Sequence, residues 1–137
     1  MNDTFYVATD ISKMSLVYIH DYLCNHSYWA KGRTLEKVKL SMDHSLCFGV
    51  FNEVDKQVGF ARIVTDKVVF AWIMDVFIDK KYRGQGLGVL LMEYIMDHPD
   101  LQAVNGIGLR THDAHTLYEK FGFGQIDDVE TWMIKKN

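Results

Sequence analysis

Proline is almost missing from this chain: Pro99 is the single example among 137 residues, which excludes a proline-rich linker or stalk. Cysteine is scarce too. Cys24 and Cys47 form neither a disulfide framework nor a metal-ligand pattern, so the expectation is free, buried thiols in a reducing compartment, with no metal. There is no basic excess; the formal net charge is −3. Nucleic-acid binders usually carry a basic surplus or stripe, and the small cluster Lys80, Lys81 and Arg83 adjoins glycines, as a local anion site would. No apolar run approaches the roughly 20 residues of a membrane span. The opening Met-Asn-Asp-Thr-Phe lacks the basic segment of a signal peptide. A cytoplasmic protein with no membrane or nucleic-acid partner is therefore expected. Internal repeats and low-complexity tracts are absent as well.

What remains is an ordinary globular composition, 48% hydrophobic and 24% charged, in a chain long enough for a real core and expected to form one domain over residues 1–137. Phe5 to Ala8 suggests a short first strand. Leu16, Ile19 and Leu23 recur at helical spacing between Lys13 and Asn25. After an aromatic and polar loop from His26 to Arg33, Thr34 can cap a second helix with Leu35, Val38 and Met42 on one face. Leu46 to Phe51 and Val58 to Thr65 fit an antiparallel hairpin. Val68 to Ile78 is the longest strand-like run, apolar throughout except for Asp75, as expected of a central strand covered on both faces. Leu87, Leu90, Leu91, Tyr94 and Ile95 then mark an amphipathic helix ending near His98-Pro99. Val104 to Arg110 predicts a strand, Asp113 to Phe121 a short helix, and Thr131 to Lys135 a last strand. The order implies an α+β sandwich, with helices on both faces of one mixed, mostly antiparallel sheet.

The segment Arg83-Gly84-Gln85-Gly86-Leu87-Gly88 joins the long strand to a helix start. Backbone N–H groups there lack intrahelical partners and sit at the positive end of the helix dipole, so the loop suits phosphate. A Walker A loop is excluded, because no Lys-Ser/Thr pair follows the glycines. A dinucleotide fingerprint fits poorly: its last small position is Val89, and four strands precede the loop. The pattern Arg/Gln-x-x-Gly-x-Gly/Ala after a long strand is met by Arg83, Gly86 and Gly88.

At these residues the chain resembles the GNAT superfamily of acyl-CoA-dependent N-acyltransferases. The run from Asp75 to Gly88 is similar to that family's fourth strand and pyrophosphate loop, and Ala114-His-Thr-Leu-Tyr-Glu-Lys-Phe-Gly-Phe123 to its closing segment. With the order of elements, the likeness covers most of the chain. It implies a GNAT-like fold split between the fourth and fifth strands, and acetyl-CoA held by Arg83, Gly84, Gln85, Gly86, Leu87 and Gly88. It implies a backbone oxyanion donor among Val76, Phe77 and Ile78. It also implies a general-acid role for Tyr118, whose alternative is packing beside Leu117 and Phe121. The acceptor would be an amine of a small molecule or protein, and the resemblance leaves a homodimer open. Many relatives carry Asn where this chain has Thr111, which can still hydrogen-bond a cofactor or water but not with an amide's two ends.

Acetyl transfer needs a neutral amine, a stabilised carbonyl oxygen and a protonated leaving sulfur. Asp75, a carboxylate within an apolar strand, is costly unless paired or used. It is the candidate to hold or deprotonate the amine, with a structural role bonded to backbone or arginine as the alternative. His112 and His115 are further candidate bases. Tyr28, Trp29 and Arg33, with Asp75, are candidate acceptor contacts, since two aromatics and a guanidinium suit an amine with a ring or a carboxylate. A non-catalytic acyl-CoA sensor module is the competing function, and the acidic balance disfavours a tRNA-modifying toxin of the same fold.

Overall fold

Residues 4–137 are described by a computed structural model. Two helices start where the sequence offers a cap. Ser15 accepts the N–H of Tyr18 at the head of α1 (Leu16–His26), and Thr34 accepts that of Lys37 at the head of α2 (Leu35–Asp43). Val38 and Met42 of α2 are buried, whereas Leu35 is exposed. The strands are β1 (Phe5–Ala8), β2 (Leu46–Asn52), β3 (Gln57–Thr65), β4 (Phe70–Ile78) and β5 (Gly106–Gly108). They pair in chain order, antiparallel from β1 through β4 and parallel between β4 and β5. The parallel pair is joined across α3 (Leu87–Asp97), and the short α4 (His115–Glu119) follows β5.

The two sheet faces carry separate cores. Leu87, Leu91, Met92 and Ile95 of α3 bury against Val50, Val58, Ala61, Ile63, Ala71 and Ile73. On the other face, Ile19, Tyr22 and Leu23 of α1 and Val38 and Met42 of α2 cover Cys47, Phe60 and Phe77. Tyr94, expected on the buried side of α3, is exposed, and Met92 fills the core in its place. The architecture is therefore an α+β sandwich around one mixed, mostly antiparallel sheet.

β4 starts later than the apolar run suggests. The carboxylate of Asp66 accepts the N–H groups of Val68, Val69 and Phe70, which turns that segment into a capped bend. Further along, Arg62 pairs with Met74 and Phe60 with Phe77, leaving two residues of β4 opposite one of β3. This bulge falls at Asp75, which takes a φ of 56°. Its effect is to exchange faces: Ala71 and Ile73 point into the α3 core, whereas Phe77 joins the α1/α2 core.

The predicted last strand, Thr131 to Lys135, does not form. A 3-10 turn spans Val129–Thr131, and the chain beyond it is unpaired, with Met133 96% exposed. A strand needs an edge to pair with, and β5 is only three residues long with glycine at two of them.

Candidate functional site

β4 and β5 part soon after they meet. Their register holds Phe70, Ala71 and Trp72 against Gly106, Ile107 and Gly108, and stops there. Among the described residues β4 has no strand partner on that side from Ile73 onward, and the chain after β5 leads to α4. A cavity of about 410 Å³ opens in the gap. Ile73, Met74, Asp75 and Val76 form one wall, and Leu109, Arg110, Thr111 and His112 the other. Tyr118 reaches it from the α3 side of the sheet; Tyr28, Trp29 and Arg33 reach it from the loop between α1 and α2.

Asp75 is the most heavily bonded group of the site. Its Oδ2 accepts from Nη1 of Arg33 at 2.7 Å and from Nε of Arg62 at 2.8 Å, and its Oδ1 accepts from the indole N–H of Trp29 at 2.9 Å. Burial alone pushes the carboxyl pKa up, but the hydrogen bonds and charges of the two arginines outweigh it and hold the group below the usual carboxylate range. Asp75 is thus a fixed anion that tethers the aromatic loop and β3 to β4. Arg62 also donates to Ser45 through Nη1 and to the sulfur of Met74 through Nη2. The same bulge that turns Asp75 toward this face gives it a left-handed backbone, which aspartate tolerates better than most residues.

Tyr118 is buried to 7% exposure. Burial first, and then the nearby Tyr28 and Asp113, push its hydroxyl up to about 12, so it stays a proton donor across the physiological range. Tyr28 accepts the backbone N–H of His112 at 3.2 Å, and its ring meets the His112 imidazole edge-on at 4.9 Å. The aromatic loop therefore reaches across to the far wall. His112 lines the cavity, while His115 is exposed outside it. Thr111 also lines the cavity, and its Oγ1 accepts the N–H of Ala114, closing the turn before α4. Of the three residues Val76, Phe77 and Ile78, Val76 alone lines the cavity. Phe77 is stacked on Tyr22 at 4.1 Å in the α1/α2 core, and Ile78 packs toward α3.

The glycine loop lies outside the cavity, at the C-terminal end of β4 beyond a 3-10 turn, Lys80–Tyr82. Gly84 and Gly86 have φ of 83° and 78°, and a Cβ built on either meets no atom within 4 Å. The space in front of the loop is open. Gly86 caps α3 without any side-chain hydrogen bond, so the first N–H groups of that helix remain unclaimed by a cap. Arg83 is pinned by Nε to the carbonyl of Ile78 and by Nη2 to the hydroxyl of Tyr22. Gln85 donates weakly to the carbonyl of Tyr82 at 3.5 Å. This set fits a pyrophosphate: amide donors at a helix start, a fixed guanidinium beside them, and no side chain in the way. No group of three His, Cys, Asp or Glu among the described residues is arranged to hold a metal ion. No helix among them is long and apolar enough to cross a membrane.

Two cavity residues, Trp72 and Arg110, and Arg62 behind the wall are not among the candidates that the sequence pointed to. Arg62 carried a signal equal to that of Asp75, a lone charge in an apolar strand, and pairing the two would have found it. Trp72 and Arg110 carried none; only the parting of β4 and β5 brings them to the cavity.

The model of the acetyltransferase (GNAT) domain matches residues 43–125. An uncharacterized N-acetyltransferase, ycf52, of Gracilaria tenuistipitata var. liui is 37% identical over 120 residues, covering 82% of this chain and 65% of its own length. Spermine/spermidine N(1)-acetyltransferase of Bacillus subtilis (strain 168) is 30% identical over 98 residues, covering 65% of this chain and 59% of its own length. This chain thus spans just under two thirds of these curated relatives. A crystal structure from Xanthomonas campestris pv. campestris, described as belonging to the GNAT family, superposes with a TM-score of 0.94 at 39% identity, over 98% of this chain and 94% of that one.

Proposed function

We propose a specific reaction for this chain, which belongs to the GNAT acetyltransferase family: acetyl transfer from acetyl-CoA to a primary amine by direct attack, with Tyr118 as the acid beside the departing sulfur. The observation that carries the reading is the parting of β4 and β5 after Trp72 and Gly108, with Tyr118 on the wall of the cavity that opens there.

The glycine loop and the cavity divide the work. Arg83, Gly84, Gln85, Gly86, Leu87 and Gly88 would hold the pyrophosphate of acetyl-CoA, which supplies the activated acyl group. The unpaired edge of β4 leaves backbone N–H groups near Val76 free to meet the developing oxyanion. Thr111, on the facing wall, keeps its hydroxyl hydrogen available to a cofactor or water. As the new N–C bond forms and the C–S bond breaks, the electron pair goes to sulfur and the Tyr118 hydroxyl donates to it. A phenol held at about 12 releases its proton to a thiolate less readily than an ordinary one, so its main contribution is a hydrogen bond that strengthens as charge builds. The surplus proton of the amine leaves through water toward His112, which borders the cavity. Asp75 fixes Trp29 and Arg33 in the acceptor wall, and because the two arginines lower its pKa it is a weak proton acceptor, which leaves the base role to His112 and water.

The test is to mix the full chain with acetyl-CoA and a panel of primary amines, following thiol release and the mass of the product. Acetylated amine accumulating with stoichiometric thiol supports the reaction. Saturable acetyl-CoA binding with no turnover on any amine would leave the protein an acyl-CoA-binding sensor.

A further inference from the structure

The charged groups lining the cavity balance, Arg33 and Arg110 against Asp75 and Asp113, but Asp75 is also claimed from behind the wall by Arg62, and that shared counter-charge points to the acceptor. Asp75 is the anion of the buried cluster and is shared by two guanidiniums, so Arg33, Arg62 and Asp75 together carry a net charge of +1. Arg62 does not line the cavity: its side chain is 9% exposed and its nitrogens meet Asp75, Ser45 and Met74. Arg33 differs. It donates to Asp75 through Nη1 alone, its side chain is 20% exposed, and it borders the cavity. A guanidinium has five N–H donors in a planar fork, so most of this one remains to be used. On the facing wall Arg110 is matched by Asp113, so the surplus stays on the Arg33 side. Behind Arg33 a shallower depression is lined by Lys37, His44 and Arg62, so nothing acidic cancels the charge from that side.

Resting on the amine acetylation proposed above, we infer that the acceptor is an amine carrying a carboxylate, bound through the free edge of the Arg33 guanidinium, with its apolar part against Tyr28, Trp29 and Trp72. A single negative charge matches a net surplus of one, which a phosphate of nearly two would exceed, and the planar fork matches a carboxylate in bidentate fashion. Polyamines are disfavoured on this side, since a second ammonium there would face Arg33, whose counter-charge Asp75 is shared with Arg62. The surplus also helps the chemistry. A positive environment disfavours the protonated amine, and only the neutral amine attacks.

The experiment uses matched acceptors that differ in one group: phenylalanine, phenylalaninamide and phenethylamine, with phosphoethanolamine and spermidine beside them. Acetyl-CoA turnover gives kcat/KM for each, and calorimetry in the presence of coenzyme A gives the binding preference even where turnover is slow. The free acid is expected to exceed its amide by about tenfold or more in both, the difference falling in KM. In Arg33→Met that ratio should collapse toward one, and in Arg33→Lys it should fall to an intermediate value, because the charge stays and the fork is lost. Circular dichroism confirms the folded state of each variant; if Arg33→Met does not fold, Arg33→Lys and Arg110→Gln carry the test. An amide or spermidine that equals the acid overturns the inference, as does an acid preference that survives the loss of Arg33. Preference for phosphoethanolamine overturns the carboxylate. A binding preference for the acid without turnover of any amine supports the anion site and counts against the acetyl-transfer reading, so the two can fail separately.

Discussion

The glycine turn from Gly84 to Gly88 takes its shape from neighbours in the chain, with Arg83 beside it tied to Tyr22, whereas the acceptor wall is assembled from residues far apart in it. Gly84 and Gly86 turn the backbone on their own account, and α3 begins at the next residue. Trp29 and Arg33 reach Asp75 across 46 and 42 residues, and Arg62 across 13. The first kind of site survives changes elsewhere but is sensitive to any side chain placed on its own glycines. The second depends on one buried carboxylate, and losing it leaves two guanidiniums without a counter-charge.

Removing that carboxylate makes the contrast largest. Asp75→Asn keeps a residue that accepts a φ of 56°, so the backbone is spared and the charge alone is lost. Breaking a buried pair by removing one partner costs about 3–5 kcal/mol, and a correspondingly large fall in Tm is expected by calorimetry, with the acid-over-amide preference disturbed as Arg33 loses its anchor. The pH dependence follows from the depressed pKa. A carboxylate held below its unfolded value, near about 3.9, contributes stability that is present above that pH and lost as pH falls through the folded value. The gap between wild type and Asp75→Asn should therefore be full at neutral pH and close in acid. An unchanged Tm with altered kinetics would mean that Asp75 acts on the substrate and does not hold the wall together.

Tyr118→Phe comes next. It keeps the ring packed under α3 and takes away one hydroxyl, so kcat should fall by about 10²-fold with acetyl-CoA affinity nearly unchanged. Because burial holds the hydroxyl up at about 12, wild-type activity should show no decline from loss of this proton up to about pH 10. An alkaline limb near pH 9 that vanishes in Tyr118→Phe would overturn the assignment of a high pKa. Wild-type turnover in the variant, measured where chemistry limits the rate, would return Tyr118 to the core.

Gly86→Ala probes the local site. At a φ of 78° any side chain is strained, by about 1–2 kcal/mol, although the new methyl meets no neighbour. Stability should fall by that modest amount, while the methyl projects into the space where phosphate would lie. Acetyl-CoA affinity, titrated on the folded variant, should weaken by about tenfold or more, and the acid-over-amide preference should persist. Unchanged affinity in a folded Gly86→Ala protein would count against phosphate binding at this loop.

The same contrast explains what the sequence made legible. The hairpin, most of the long central strand, the cap at Thr34 and the helix start after the glycines are all patterns within about ten residues, and each appears close to where spacing placed it. Failures came where an outcome depends on a distant partner. The expected strand Thr131–Lys135 has strand composition but no edge to join. Val68 and Val69 have strand composition too, but their N–H groups are taken by Asp66. Asp75 was visible as a charge that needed a reason; that the reason is a pair of arginines depends on the bulge just after Met74, which turns Asp75 toward Arg62 and Arg33.

The smallest effect belongs to Thr34, one residue beyond Arg33. Its hydroxyl accepts the N–H of Lys37 at 3.2 Å and caps α2, so Thr34→Ala should cost about 1 kcal/mol, seen as a small drop in Tm. The interest lies in what should not change. Were the acceptor wall positioned by local structure, fraying the first turn of α2 would loosen Arg33 and raise KM for a carboxylate-bearing amine. If Asp75 positions it, the 2.7 Å bond from Arg33 holds the guanidinium whether or not the helix beside it frays. The expected result is lower stability with an acid-over-amide ratio within about twofold of wild type. The double variant Thr34→Ala/Asp75→Asn then shows which anchor matters: additive losses of stability mean independent roles, as expected for groups with no shared hydrogen-bond partner. A Thr34→Ala protein that loses the carboxylate preference while its Asp75 bonds persist would assign the positioning of Arg33 to the helix cap, and the wall would then be as locally built as the glycine loop.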